Sequence, residues 1–139
     1  MPIYSIPQST PTATAGVTGR ATGQTAAVAS VATYTLGAAD ASFEVSSNVL
    51  ITTSSAQAFT VQVTYTDEGN TARIQTLTFA KLVGTTVAAI ASSDGPVPYV
   101  GVPVRIRCKA STVITVLTQA AGIYTGATFN VEGVIKQTA

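Results

Sequence analysis

The chain of 139 residues has no histidine and no tryptophan, a single cysteine and a single methionine, and only 9% of its residues are charged. Each shortage removes a class of chemistry. Without histidine the commonest general base, the usual partner of a catalytic serine and the commonest zinc ligand are all missing. Cys108 stands alone, so no intrachain disulfide can form and no oxidising compartment is implied. It also lacks an imidazole to activate it, and its place in a strand pattern gives it a buried apolar role. An average soluble protein carries roughly a quarter charged residues. Here seven basic side chains nearly cancel six acidic ones, and no strong field exists to gather nucleic acid or an anionic membrane. No apolar run approaches the roughly 18 residues that span a bilayer. The opening MPIYSIPQST has neither the basic start nor the unbroken apolar core of a signal peptide. The expectation is a soluble chain made in the cytoplasm, without membrane, nucleic-acid or small-molecule partners.

The carboxylates Asp40, Glu44, Asp67, Glu68, Asp94 and Glu132 are scattered, and nothing in the sequence sets two of them together as a glycosidase pair would require. The run Asp67-Glu68-Gly69-Asn70 falls short of the ligand count of a dedicated calcium site and reads as turn chemistry. Gly16 and Gly19 are not followed by a helix, so they do not form a phosphate loop. The expectation is therefore no catalysis, no cofactor and no metal.

Threonine, alanine, valine and serine take the vacated places. They give a neutral, hydroxyl-rich surface, suited to a subunit packed against others or to a secreted β-domain. The clearest pattern runs from Ala58 to Phe79. Phe59, Val61, Val63 and Tyr65 alternate with Thr60, Gln62, Thr64 and Thr66, the period of a strand with one buried face. The polar tetrapeptide then makes a hairpin turn, and Thr71 to Phe79 returns as the second strand. Upstream, Ala32, Tyr34 and Leu36 share one side of a strand. Phe43 and Val45 follow, a pause at Ser46-Ser47-Asn48 suggests a bulge or a bend, and Val49 and Ile51 resume the alternation.

Downstream, Lys81 to Gly84 is a short helical turn or a loop, and Thr85 to Ile90 has the β-branched content of a short strand. Ala91 to Gly101 reads as the longest irregular connection. Val102, Val104, Ile106 and Cys108 then face one way, while Arg105, Arg107 and Lys109 face the other as the nearest thing to a charged patch. They form either a docking surface for an acidic partner or a solvated face. Thr112 to Leu117 and Ala127 to Ile135 complete about eight short strands, the pattern of an all-β antiparallel sandwich or jelly roll. The core expected between its sheets is Phe59, Val61, Val63, Tyr65, Val104, Ile106, Phe129 and Val131.

Met1 to about Ala27 differs. Prolines and then glycines are spaced through serine and threonine, which predicts an extended N-terminal arm ahead of a β-domain over 28–139. Ile3, Tyr4 and Ile6 give the arm an apolar tip able to grip a partner.

Three stretches carry a family resemblance: TYTLGAADASFEVSSNVLITT at Thr33 to Thr53, VTYTDEGNTARIQTLTF at Val63 to Phe79, and GVPVRIRCKASTVITV with FNVEGVIKQ from Gly101 onward. Together they resemble the small β-sandwich head decoration, or cement, proteins of tailed bacteriophages, from about Ser30 to the C-terminus. The resemblance implies a jelly-roll-like subunit, commonly a homotrimer, on the outer face of the virion head, where it binds the major capsid protein. No functional residue carries over individually. A tail-tube or fibre subunit is the alternative within the same class. A carbohydrate-binding module or adhesin is a further one, for which Tyr99 and Tyr124 are the loop tyrosines available for sugar stacking.

Overall fold

The computed structural model describes residues 16–53, 58–81, 85–87, 89–91, 98–120 and 128–138. Their strands are β1 (Gly16–Gln24), β2 (Ala32–Thr35), β3 (Ala41–Thr53), β4 (Ala58–Thr66), β5 (Ala72–Thr76), β6 (Phe79–Lys81), β7 (Thr85–Val87), β8 (Ala89–Ala91), β9 (Pro98–Gly101), β10 (Val104–Cys108), β11 (Val113–Ala120) and β12 (Thr128–Gln137). Among the described residues there is no helix. All pairings are antiparallel, and they form two sheets. Sheet A runs β1-β12-β3-β9-β6-β7, with β10 also on β3, and sheet B runs β2-β11-β4-β5, with β8 also on β4. Since β9 and β10 pair with different stretches of β3, the framework reduces to eight strand positions. In that framework the first strand pairs with the last, the second with the penultimate, and the chain crosses between sheets at most connections. This is jelly-roll pairing. The short strands β6, β7 and β8 are additions between its fifth and sixth positions.

Side-chain alternation builds the core between the sheets. Phe43, Val45, Val49 and Ile51 of β3, with Phe129, Val131 and Ile135 of β12, face Phe59, Val61 and Val63 of β4 and Ile114 and Val116 of β11. Phe59 and Phe129 stack across the gap at 4.5 Å between ring centroids. Of the expected core, Phe59, Val61, Val63, Ile106, Phe129 and Val131 are buried, whereas Tyr65 and Val104 are half-buried and pack on its edge.

The hairpin forms as expected. The Asn70 N–H donates to the Asp67 carbonyl at 2.9 Å, Asn70 takes a φ of 65°, and the Asp67 N–H donates to the Thr71 carbonyl at 2.9 Å.

Five expectations are corrected. The arm is expected to run through Ala27, but Gly16–Gln24 is a full strand on β12. Its glycines read as breakers, yet a Cβ on Gly19 would stand 1.9 Å from the Val31 carbonyl oxygen. Glycine is what lets β1 lie against that backbone. Gly23, with a φ of +60°, sits at the register shift between Ala21 and Gln24.

The pause at Ser46-Ser47-Asn48 is no bulge: β3 stays in register with β12 from Val45 to Val49. Ser47 is fully buried there, and its hydroxyl donates to the Glu132 carbonyl at 2.7 Å, so the buried polar group is satisfied.

The return strand of the hairpin divides. β5 stays in sheet B, Leu77 is buried with its N–H on the Val61 carbonyl, and β6 continues in sheet A. Likewise Thr85 to Ile90 contributes to two strands, β7 and β8, in different sheets.

The connection expected from Ala91 to Gly101 closes with β9, whose Tyr99 is buried rather than presented in a loop. Ser54 to Gln57, Leu82 to Gly84, Ser92 to Val97 and Tyr124 lie outside the described residues, as do Ile3, Tyr4 and Ile6.

Candidate functional site

Alternation that buries one face of each strand presents the other, and the two outward faces of the sandwich differ in chemistry. The outward face of sheet A carries the charges. Arg20, Glu132, Asn48 and Val100 lie in one cross-strand row over β1, β12, β3 and β9. The Arg20 guanidinium donates to a Glu132 carboxylate oxygen at 2.8 Å.

Beside that row, Leu50 pairs with Asn130 and with Pro98. The result is an open groove of about 530 Å³ across four strands. Its apolar part is unusually exposed for large aliphatic side chains: Leu50 at 40% and Val100 at 58%. Its polar edges are fixed, since Asn130 Oδ1 accepts the Gly23 N–H at 2.8 Å and Asn48 Oδ1 accepts the Gly101 N–H at 3.3 Å. Sequence reasoning missed this groove because Pro98 to Gly101 read as loop. The available signal was Leu50, an apolar residue at an outward position of an alternating strand.

The strand cations Arg105 and Arg107 also reach the surface of sheet A, on β10. Arg105 pairs across the ladder with Glu44, which pairs on its other side with Lys136. Arg107 donates through Nε to Glu68 at 2.9 Å and through Nη1 to the Ser42 hydroxyl at 3.2 Å. Lys109 lies beyond the strand, half-buried, with its backbone N–H on the Thr66 carbonyl. The cations are thus brought among Glu44 and Glu68 in a mixed-sign cluster. Ion pairs this exposed contribute about 0–1 kcal/mol each and leave no single-sign field.

The outward face of sheet B is the opposite case. Thr33, Thr115, Thr64 and Ile74 form one row over β2, β11, β4 and β5, and Leu117, Gln62 and Thr76 form the next. No outward side chain on these four strands is charged, because Arg73 lies on the other face, paired with Tyr65 and bonded to Asp67 at 2.6 Å.

Two groups have displaced pKa values of structural meaning. Burial pushes the Cys108 thiol up to about 11, the setting of an inert cysteine rather than a nucleophile. The Thr71 N–H and then the Arg73 guanidinium hold the Asp67 carboxyl below its ordinary value. Among the described residues, no three His, Cys, Asp or Glu side chains converge as metal ligands would.

No family model matches the chain, and no curated protein matches it in sequence. Among solved structures it is similar to a mutant VP2 protein of infectious bursal disease virus in derived T=1 particles. That match has 13% identity and a TM-score of 0.26, over 88% of this chain and 37% of that one. The structure of the infectious bursal disease virus Gt strain matches at 10% identity and a TM-score of 0.27, over 91% of this chain and 36% of that one. The chain spans little more than a third of those proteins, and likeness at this level carries no argument about function.

Proposed function

We propose that the chain is a structural virion subunit, a decoration or cement protein that binds the outer surface of a tailed-phage head and reinforces contacts between major capsid subunits, acting as a homotrimer. The observation that carries the reading is the pairing order of the eight framework strands, an architecture that recurs in viral shell proteins and in lectins. Fold alone does not assign a function. The three stretches that resemble decoration proteins separate the virion reading from the others, and they fall on β2 and β3, on the β4–β5 hairpin with β6, and on β10 to β12.

The chemistry fits a mechanical role. Closing first strand on last ties the two ends of the sandwich to each other, and a surface with few charges costs little to desolvate. Weak contacts repeated over many copies then add through multivalency. In this reading Ile3, Tyr4 and Ile6 grip the shell, and the mixed cluster of Arg105 and Arg107 is solvated.

Electron microscopy of purified particles tests it directly. Density for this sandwich on the outside of the head, where capsid subunits meet, is the expected result. Density in rings or rods of the tail would move the chain to the tail-tube or fibre reading, and its absence from particles would end the virion reading.

A further inference from the structure

We propose that the outward face of sheet B is where two copies of this chain meet, face to face across a two-fold axis. The inference goes beyond the virion reading and stands independently of it. In a two-fold contact the same patch serves both partners, so each group near the axis meets its own copy. A charged residue there would face a like charge, and this face has none among its outward side chains. Its commonest side chain, threonine, carries a hydroxyl that is at once donor and acceptor. A threonine surface can therefore satisfy its own copy, which a surface of carboxylates or ammonium groups cannot.

The segregation is one of charge. Arg20, Glu44, Arg105, Arg107, Glu132 and Lys136 all lie on sheet A, whereas exposed aliphatic side chains stand on both faces, Leu50 and Val100 on sheet A and Ile74 and Val113 on sheet B. With strands about 4.8 Å apart and about 3.4 Å per residue, four strands of some seven residues project on the order of 450 Å². Side-chain relief raises the accessible area above the projection, toward the roughly 800 Å² per partner of a standard interface. Two such faces would pack as sheets do, about 10 Å apart with strands within about 30°. A ring of three held by other contacts leaves this face free, and pairing two rings through it gives six copies.

Sedimentation and light scattering on the full chain, with three variants, test the inference. Thr64 and Thr115 pair near the middle of the face. The wild type is expected to form an assembly with an even number of copies at micromolar concentration. T64K alone and T64E alone should each weaken association by roughly 100-fold or more, because like charges meet at the axis. Mixing the two should restore association, since Lys now meets Glu. Far-UV circular dichroism and an unchanged melting midpoint identify the variants as folded, and T115S, which keeps the hydroxyl, should associate as the wild type does. A monomeric or odd-numbered wild type, charge variants that associate normally, or a mixture that fails to recover would each overturn the proposal.

Discussion

At the scale of single residues the structure makes three side chains testable. Cys108 is fully buried, and burial pushes its thiol up to about 11. A thiol whose folded pKa is raised stabilises the fold fully below its ordinary value and loses that contribution as pH rises through the folded one. Native protein at pH 8 should leave Cys108 unlabelled by a thiol reagent that reacts stoichiometrically in urea, and stability should fall between about pH 9 and pH 11. Asp67 shows the opposite sign. Its carboxylate is favoured in the fold by the Thr71 N–H and by Arg73, so its contribution is present above its ordinary pKa and is lost as pH falls through the lower folded value. Asp67→Asn should lower the urea midpoint at pH 7, and the difference from wild type should close as pH falls below the ordinary carboxylate range. An unchanged difference at low pH would assign the effect to turn geometry instead. Phe129 stacks on Phe59 with no exposure, and Phe129→Ala should cost about 3–5 kcal/mol in a denaturant titration. The burial of Phe59 and Phe129 was legible because alternation in β4 and β12 is unbroken, and that of Cys108 because alternation in β10 is. Tyr65 and Val104 were misjudged because they occupy core-facing positions at the margin, where alternation says which way a side chain points but not how much covers it.

Between residues and the whole, strands show where sequence reading stops. The β4–β5 turn was legible from Asp67 to Asn70 because turn chemistry is local. Strand β1 was not, because its glycines are required by backbones far away in sequence, and no local propensity registers that a carbonyl of Val31 lies against Gly19. Ser47 misled in the same way: a serine amid a strand reads as a break until Glu132 supplies its acceptor. Gly101 on β9 combines both lessons, since a Cβ there would stand 1.9 Å from the Ser47 carbonyl oxygen and 2.9 Å from its nitrogen, both backbone atoms that cannot turn aside. Gly101→Ala should push β9 off β3 and cost about 1–3 kcal/mol, the usual range for overpacking. Hydrogen exchange read strand by strand would localise the loss to Pro98–Gly101 and its partners Asn48 to Leu50, whereas a uniform loss would show that β9 is not a separate weak point. The groove at Leu50 and Val100 depends on the same pairing, which is why neither element announced it alone.

For the molecule as a whole, the question is what residues 1–15 and β1 each contribute. Removing residues 1–15 leaves β1, both sheets and the described core in place, whereas removing 1–25 takes away all of β1. The longer deletion does three things at once. It strips β12 of its partner from Phe129 to Lys136, turns a central strand into an open edge, and withdraws the packing of Val17 and Ala21 on the core. It also leaves Glu132 without Arg20, a minor loss for so exposed a pair. An unpaired edge strand is a template for aggregation, so the chain beginning after residue 25 should melt at least several degrees lower than the full chain or precipitate on concentration. The chain beginning at Gly16 should melt with the full chain. If that shorter truncation also fails to bind heads, the contact belongs to residues 1–15 and to their apolar Ile3, Tyr4 and Ile6. If it binds as the full chain does, the contact lies on the sandwich. Equal melting of the two truncations would mean that β1 contributes little to the fold, despite its nine-residue strand on β12.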